Sequence, residues 1–268
     1  MTQTHISVSQ HQRVRRIWLD RVEVRNAQSQ DLLDQLHTAF EAAVADVDTR
    51  VIILAAKGEH FSAGHDLKEA QASRADFTVE ERWAYEELRY FDYSLRIWDC
   101  PKPVVAQVQG ACIAGGFMLA NMCDLIVASA DAYFSDPVAH TMGAAATEVL
   151  IHPWVMGLRR AKEFLYTGER LMAHEARAIG MVNRVCERAD LDREALALAE
   201  RIAAAPPFAL KMLKKSLNRS ADAQGMRVAL QAHFDLHQLS HVTEEYQRTR
   251  GAGLASAIKR GSEHGASS

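Results

Sequence analysis

Two segments of this chain place glycine where a buried strand hands over to a helix: His60-Phe61-Ser62-Ala63-Gly64-His65-Asp66-Leu67-Lys68 and Gln109-Gly110-Ala111-Cys112-Ile113-Ala114-Gly115-Gly116-Phe117-Met118. Glycine lets a ligand approach the backbone closely, and the free N–H groups at a helix start carry partial positive charge. Two such turns side by side make a hole for a developing oxyanion, the chemistry of a polarised carbonyl. Each glycine pair alone is more often the mark of tight packing or of a helix cap than of catalysis. The two together, in matching strand contexts, are the more specific signal.

A third constellation is His233, His237 and His241, spaced by four on one expected helix, at which spacing adjacent imidazoles chelate zinc. No cysteine or carboxylate at ligand spacing joins them, so the strip reads as a subunit-facing or solvated helix face that needs no metal. The basic run over 211–219 likewise reads as a solvated helix face.

The elements that must position these groups follow from periodicity. Residues 14–19, rich in β-branched and aromatic types, read as a strand after a polar stretch over 1–12. Ser29 offers an N-cap, and Leu32, Leu33, Leu36, Phe40, Ala43, Val44 and Val47 recur at helical spacing, predicting an amphipathic helix over 31–46. Further strands are expected at 50–54, 103–108, 125–128 and 132–134, with a short apolar helix opening at Gly115-Gly116 and another helix around 159–166. Strands alternating with helices argue for an α/β core with parallel pairing. A charged, aromatic segment over 70–99, carrying Trp83, Leu88, Phe91, Leu95 and Trp98, reads as a helix inserted between two core strands and placed to cover a pocket. Beyond Asp190 only helices are expected: up to Ile202, over 208–218 and over 221–247. Leu210, Leu213 and Leu217, then Val228, Phe234 and Leu239, form apolar stripes for burial against a neighbouring subunit.

The 268 residues suffice for one large domain or a main domain with a smaller appendage. The net charge of −3, with basic residues spread along the chain, gives no nucleic-acid footprint. Cys100, Cys112, Cys123 and Cys186 lack CxxC spacing and read as reduced core residues. No signal-peptide core stands at the N-terminus, and no apolar run nears the ~20 residues of a membrane span, so a soluble cytoplasmic protein is expected.

Taken together, Arg25-Asn26-Ala27, residues 61–68, Pro101-Lys102-Pro103-Val104, Met122-Cys123-Asp124, residues 161–168 and Gly180-Met181-Val182-Asn183 resemble the enoyl-coenzyme A hydratase/isomerase (crotonase) family, from about Val14 to the C-terminus. The resemblance implies an α/β fold: a spiral of ββα units over 1–205 and an all-helical trimerisation region over 206–268, hence a homotrimer or homohexamer. It implies a coenzyme A thioester as substrate, no tightly bound cofactor, and a thioester carbonyl held between two backbone N–H donors. The matching motifs assign those donors to His65 and Gly115. Ala63, His65, Asp66, Leu67 and Lys68 then line the coenzyme A path, with Val24 and Arg25 near its nucleotide end. Lys68 is read either as a contact to adenine or phosphate or as a solvated lysine. Lys259 and Arg260 are read as a solvated tail in preference to contacts with the phosphates bound by a neighbouring subunit.

Hydratases of this family hold and deprotonate water with two glutamates. Aligned without gaps, those positions are Met118 and Val138, whose side chains exchange no proton, so ordinary two-glutamate hydration is not expected. The following loop runs through Ala144-Ala145-Ala146, leaving His140 and Glu148 as titratable replacements. Glu148, facing an apolar acyl pocket, is expected to have its pKa raised toward neutrality and to act as acid or base; the alternative is a glutamate stabilised at a helix start. His140 reads first as a loop histidine, and the His65 imidazole as secondary to its backbone. The function expected is acyl-coenzyme A chemistry through an enolate-like intermediate. Isomerisation, decarboxylation, thioester hydrolysis and a catalytically silent acyl-coenzyme A binder stay open.

Overall fold

The computed structural model describes residues 4–249. Its strands, in chain order, are β1 (Ile6–His11), β2 (Val14–Leu19), β3 (Val51–Ala56), β4 (Val104–Val108), β5 (Ala111–Ile113), β6 (Leu125–Ser129), β7 (Tyr133–Ser135), β8 (Leu171–Met172) and β9 (Arg184–Cys186). The helices are α1 (Gln30–Ala45), α2 (Leu67–Ser73), α3 (Val79–Glu86), α4 (Tyr93–Trp98), α5 (Gly115–Asn121) and α6 (Val138–Thr141). They continue with α7 (His152–Met156), α8 (Leu158–Thr167), α9 (Ala173–Ala178), α10 (Leu191–Ala203), α11 (Pro207–Ala223) and α12 (Met226–Ser240).

The larger sheet has the order β1-β2-β3-β4-β6-β9, with β1 antiparallel to β2 and every other neighbour parallel. The smaller has the order β5-β7-β8, and single bridges Ser62↔Cys112 and Gln28↔His65 extend its ladder toward the β3–α2 loop. Successive turns of chain thus lay one segment into each sheet before a helix, which is the spiral of the expected fold. Strand alternation sorts the larger sheet's faces. Ile52 and Leu54 of β3 face the main core with Val104 and Ala106 of β4, while Val51, Ile53 and Ala55 meet Leu191, Ala195, Leu198 and Ala199 of α10. All six residues of β3 are buried, the mark of a strand covered on both sides. Each Val, Ile or Leu so enclosed contributes ~2 kcal/mol through the water it leaves.

Ser29 caps α1, accepting from the Leu32 N–H at 3.2 Å, and Leu32, Leu33, Leu36, Phe40 and Ala43 form its buried stripe. The helix ends at Ala45, so Val47, expected on that stripe, is 90% exposed. The polar N-terminus holds β1, whose hairpin with β2 sequence patterning did not disclose because four of its six residues are exposed. The inserted segment 70–99 is broken: α2 stops at Ser73, and a second helical run passes from α3 through a π-helical stretch, Glu87–Asp92, into α4. That wider turn shifts the buried face, so Leu88 is exposed while Tyr90 and Phe91 are buried.

The helix expected over 221–247 is also broken. Gly225, at φ +96°, separates α11 from α12. Within α11 the basic run is not wholly solvated, because Lys214 is buried and its Nζ lies 2.8 Å from Asp124 Oδ2. Phe234 of α12, expected at a subunit contact, packs into this chain's own core against Phe91 and Trp83. No helix among the described residues is long and apolar enough to cross a membrane.

Candidate active site

The two glycine turns meet. Phe61 N–H donates to Gln109 O and Ser62 N–H to Ala111 O, while Ile113 N–H donates back to Ser62 O at 3.0 Å, locking one turn to the other. Gly64 sits at φ +86°, and a Cβ there would stand 2.7 Å from Ile113 O and 3.2 Å from Gly115 N. On Gly115 a Cβ would fall 2.3 Å from Gln28 Oε1 and 3.0 Å from His65 Nδ1. At Gly64 the backbone contacts and the positive φ require glycine, while at Gly115 a side chain would have to displace Gln28 and the His65 ring. Among the described residues neither His65 N–H nor Gly115 N–H donates to a backbone carbonyl. Both are therefore available to a ligand, beside the start of α5.

The His65 ring does more than decorate its turn. It stacks on Tyr90 with centroids 3.9 Å apart, and its Nε2 lies 2.7 Å from Glu148 Oε1. The imidazole side chain is 23% exposed and the Glu148 side chain 2%, so the pair joins a buried carboxylate to a ring at the edge of solvent. Tyr90 comes from the π-helical stretch and Glu148 from the loop after α6, whose Thr147 carbonyl is held by His233 Nε2 at 2.9 Å. Beside Gly115 a cavity of about 20 Å³ runs between α1, α4 and α5, bounded by Leu36, Tyr90, Tyr93, Met118 and Leu119.

The family model for enoyl-CoA hydratase/isomerase matches residues 9–258. This chain belongs to the enoyl-CoA hydratase/isomerase family. It is 42% identical over 246 residues to EchA13 of Mycobacterium tuberculosis, covering 85% of this chain and 77% of that one. Against the mitochondrial enoyl-CoA hydratase of Pongo abelii it is 32% identical over 205 residues, covering 75% and 68%. Its fold is similar to the crystal structure of an enoyl-CoA hydratase/isomerase from Xanthobacter autotrophicus Py2, with TM-score 0.88, 36% identity, and 96% and 97% of the two chains covered.

Within this enoyl-CoA hydratase/isomerase family fold, the residues expected along the coenzyme A path are gathered. Arg25 O accepts from Ala63 N–H at 3.0 Å, which sets Val24 and Arg25 beside the His65 turn. Asp66 spends its carboxylate inside the protein: Oδ1 accepts from the Lys68 and Glu69 N–H groups at the start of α2, and Oδ2 pairs with Arg21. Leu67 and Lys68 form the first turn of α2, half-buried and exposed respectively. Met118 is buried and Val138 half-buried, both without a titratable atom. Lys259 and Arg260 lie outside the described residues.

Glu148 stands in a loop, which sets aside the alternative of a glutamate at a helix start, but its titration departs from expectation. Burial pushes its pKa up, but the charge and hydrogen bond of His65, with the charge of His237, outweigh burial and hold it below the ordinary carboxylate value. The expected rise toward neutrality is therefore reversed, because the pocket wall facing the carboxylate is an imidazole. His140 is exposed on α6 and its Nε2 contacts Tyr166 O at 2.7 Å, a bond to α8.

Sequence reasoning missed Tyr90 and Gln28, which carry no motif of their own, although Gln28 follows Arg25-Asn26-Ala27 directly. It also missed a second, sealed carboxylate–imidazole pair. Asp136 Oδ2 and His152 Nε2 stand 3.2 Å apart with both side chains fully buried, and Phe117 of α5 stacks on the His152 ring. Burial raises the Asp136 pKa, yet His152 and the Val138 and Thr147 contacts bring it below the usual value. Enclosed in this way, the pair braces the 136–152 loop against α5.

Proposed function

We propose that this chain processes acyl-coenzyme A thioesters, stabilising a thioester enolate with the His65 and Gly115 N–H groups while His65 and Glu148 move the proton. The 2.7 Å contact between His65 Nε2 and Glu148 Oε1 carries the reading. With Glu148 ionised, Nε2 bears the ring proton and donates it to Oε1, which leaves the Nδ1 lone pair on the side of Gly115. A base next to an oxyanion site is what abstraction of a proton α to a carbonyl requires. Backbone donors of this kind are worth ~3 kcal/mol each in the transition state. The acyl group extends past Gly115 toward Met118, and the coenzyme A moiety runs along Val24, Arg25, Ala63, Leu67 and Lys68, with no other cofactor.

One imidazole–carboxylate pair in place of two glutamates favours reactions that need a single proton carrier, such as double-bond isomerisation, over hydration. Exchange of the α-protons of a saturated acyl-coenzyme A in deuterated water, read by mass spectrometry, tests the enolate step whatever the full reaction is. Incorporation that disappears in Glu148→Gln while thioester binding persists is the expected result. Tight binding with no exchange across a panel of acyl chains would make the chain a silent binder and sink the proposal.

A further inference from the structure

The histidine strip of α12 finds the carboxylate that sequence spacing did not supply. Glu86, the last residue of α3, reaches His237 and His241, one helical turn apart: Glu86 Oε2 is 3.5 Å from His237 Nε2 and 3.8 Å from His241 Nδ1. His233, the third member of the strip, turns away to Thr147 O. The ligand atoms of Glu86, His237 and His241 all lie within 4.8 Å of one another, and all three residues are more than nine-tenths buried.

Burying two imidazoles whose partners, Glu86 for both and the Ala145 backbone for His237, stand too far or too poorly aligned for full hydrogen bonds is costly. Neither nitrogen of His237 nor Nδ1 of His241 makes a hydrogen bond of ordinary geometry. A tetrahedral zinc ion, with ligands at 2.0–2.2 Å, holds its donor atoms ~3.4 Å apart, close to the 3.5 and 3.8 Å from Glu86 to the two histidines. The surroundings also suit a cation. Gln238 Nε2 donates to Glu86 Oε2 at 2.7 Å and so orients the carboxylate, as partners behind metal ligands do, and the negative charge of Glu148 acts on His237. The Arg82 guanidinium, 3.6 Å from Glu86 Oε1, opposes it from the carboxylate's other oxygen.

We propose that Glu86, His237 and His241 bind one divalent transition-metal ion of the zinc class, with a water in the fourth position. The ion would clasp the segment inserted between β3 and β4 to α12, behind the loop that carries Glu148. Its ligand set of two neutral imidazoles and one carboxylate is a common one for zinc.

Tag-free protein stripped with chelator and titrated with zinc chloride against a chromogenic chelator tests this directly. One zinc per chain is expected, with a rise in Tm on zinc addition. Glu86→Gln and the His237→Ala/His241→Ala pair should each weaken binding by at least ~100-fold, beyond the loss expected for an outer-shell partner, while His233→Ala keeps the full stoichiometry. Cobalt substituted into the wild-type protein should show the visible bands of four-coordinate cobalt without thiolate charge transfer, separating this site from the four cysteines even if a variant fails to fold. Failure of the wild-type chain to retain zinc against the chelator, thiolate bands with cobalt, or undiminished binding in Glu86→Gln would each overturn the assignment.

Discussion

His65 and Glu148 are 83 positions apart in sequence, and their side chains meet at 2.7 Å. The residue whose backbone N–H is proposed to meet a substrate carbonyl therefore presents a ring that a buried carboxylate contacts. If the pair moves the proton, Glu148→Gln lowers turnover by at least ~100-fold with thioester affinity retained, and His65→Gln does the same while leaving the backbone donor in place. Steady-state rates and binding isotherms on the two variants check this; unchanged turnover in Glu148→Gln returns that residue to a structural role.

Hydration of crotonyl-coenzyme A should be slow. The family resemblance sets Met118 and Val138 at the two glutamate positions of its hydratases, and neither side chain has a titratable atom to activate a water. Loss of the enoyl absorbance at a rate typical of efficient enzymes would contradict this. In Met118→Glu the new carboxylate enters a site that is 2% exposed, so a lowered Tm is expected as well, measurable by calorimetry.

Assembly into a trimer or a dimer of trimers, implied by the family resemblance, would cover apolar side chains that α11 and α12 leave exposed. Phe208, Leu213 and Leu217 on the first and Val228, Leu236 and Leu239 on the second are each more than half exposed in the single chain. Such a surface calls for a partner, and a second copy of this chain supplies one of matching character. Light scattering at micromolar concentration should give a multiple of three, and Leu213→Glu with Leu217→Glu should shift the population to smaller species. A wild-type monomer would refute it.

In the metal-free protein, stability should peak near pH 6.5. Burial, partly offset by Glu86, pushes the His241 pKa down to about 4, so between 6.5 and 4 the unfolded chain binds a proton that the folded chain does not, and stability falls with pH. Glu86 is desolvated, but its histidine neighbours and Arg82 lower its pKa to about 2, extending the loss from 4.5 down to 2. His237 has the opposite sign: burial notwithstanding, Glu86 and Glu148 raise its pKa, so its contribution is complete below 6.5 and fades as pH rises through the folded value. Urea unfolding across this range should show His241→Gln flattening the limb between 6.5 and 4, a loss of roughly 3 kcal/mol in the wild type.

Local pattern was enough where one face or one strand decides the outcome. Ser29 with the Leu32 to Phe40 stripe announced α1, and the apolar runs announced β3, β4 and β6, since each rule involves neighbours in sequence. The glycine turns were legible for the same reason. Contacts across long separations were not. Nothing near residue 90 signals that Tyr90 will lie under His65, and nothing near residue 86 signals that Glu86 will complete a pair of histidines at the end of α12, His237 within it and His241 at its C-cap. The direction of the Glu148 pKa failed for that reason: burial was foreseeable from composition, but the imidazole that overrides it arrives through tertiary packing.

The π-helical stretch between α3 and α4 makes chain length, more than side-chain chemistry, the control on this site. One residue beyond the α-helical count is what turns Tyr90 inward beneath His65 and leaves Leu88 outside. Removing a single residue between 87 and 92 would let the helix run straight, carry the aromatic floor out from under the imidazole and bring a different face to Glu148 and the cavity. In a chain sharing the rest of this scaffold, one residue more or fewer here would re-aim the wall of the pocket while both glycine turns stayed as they are.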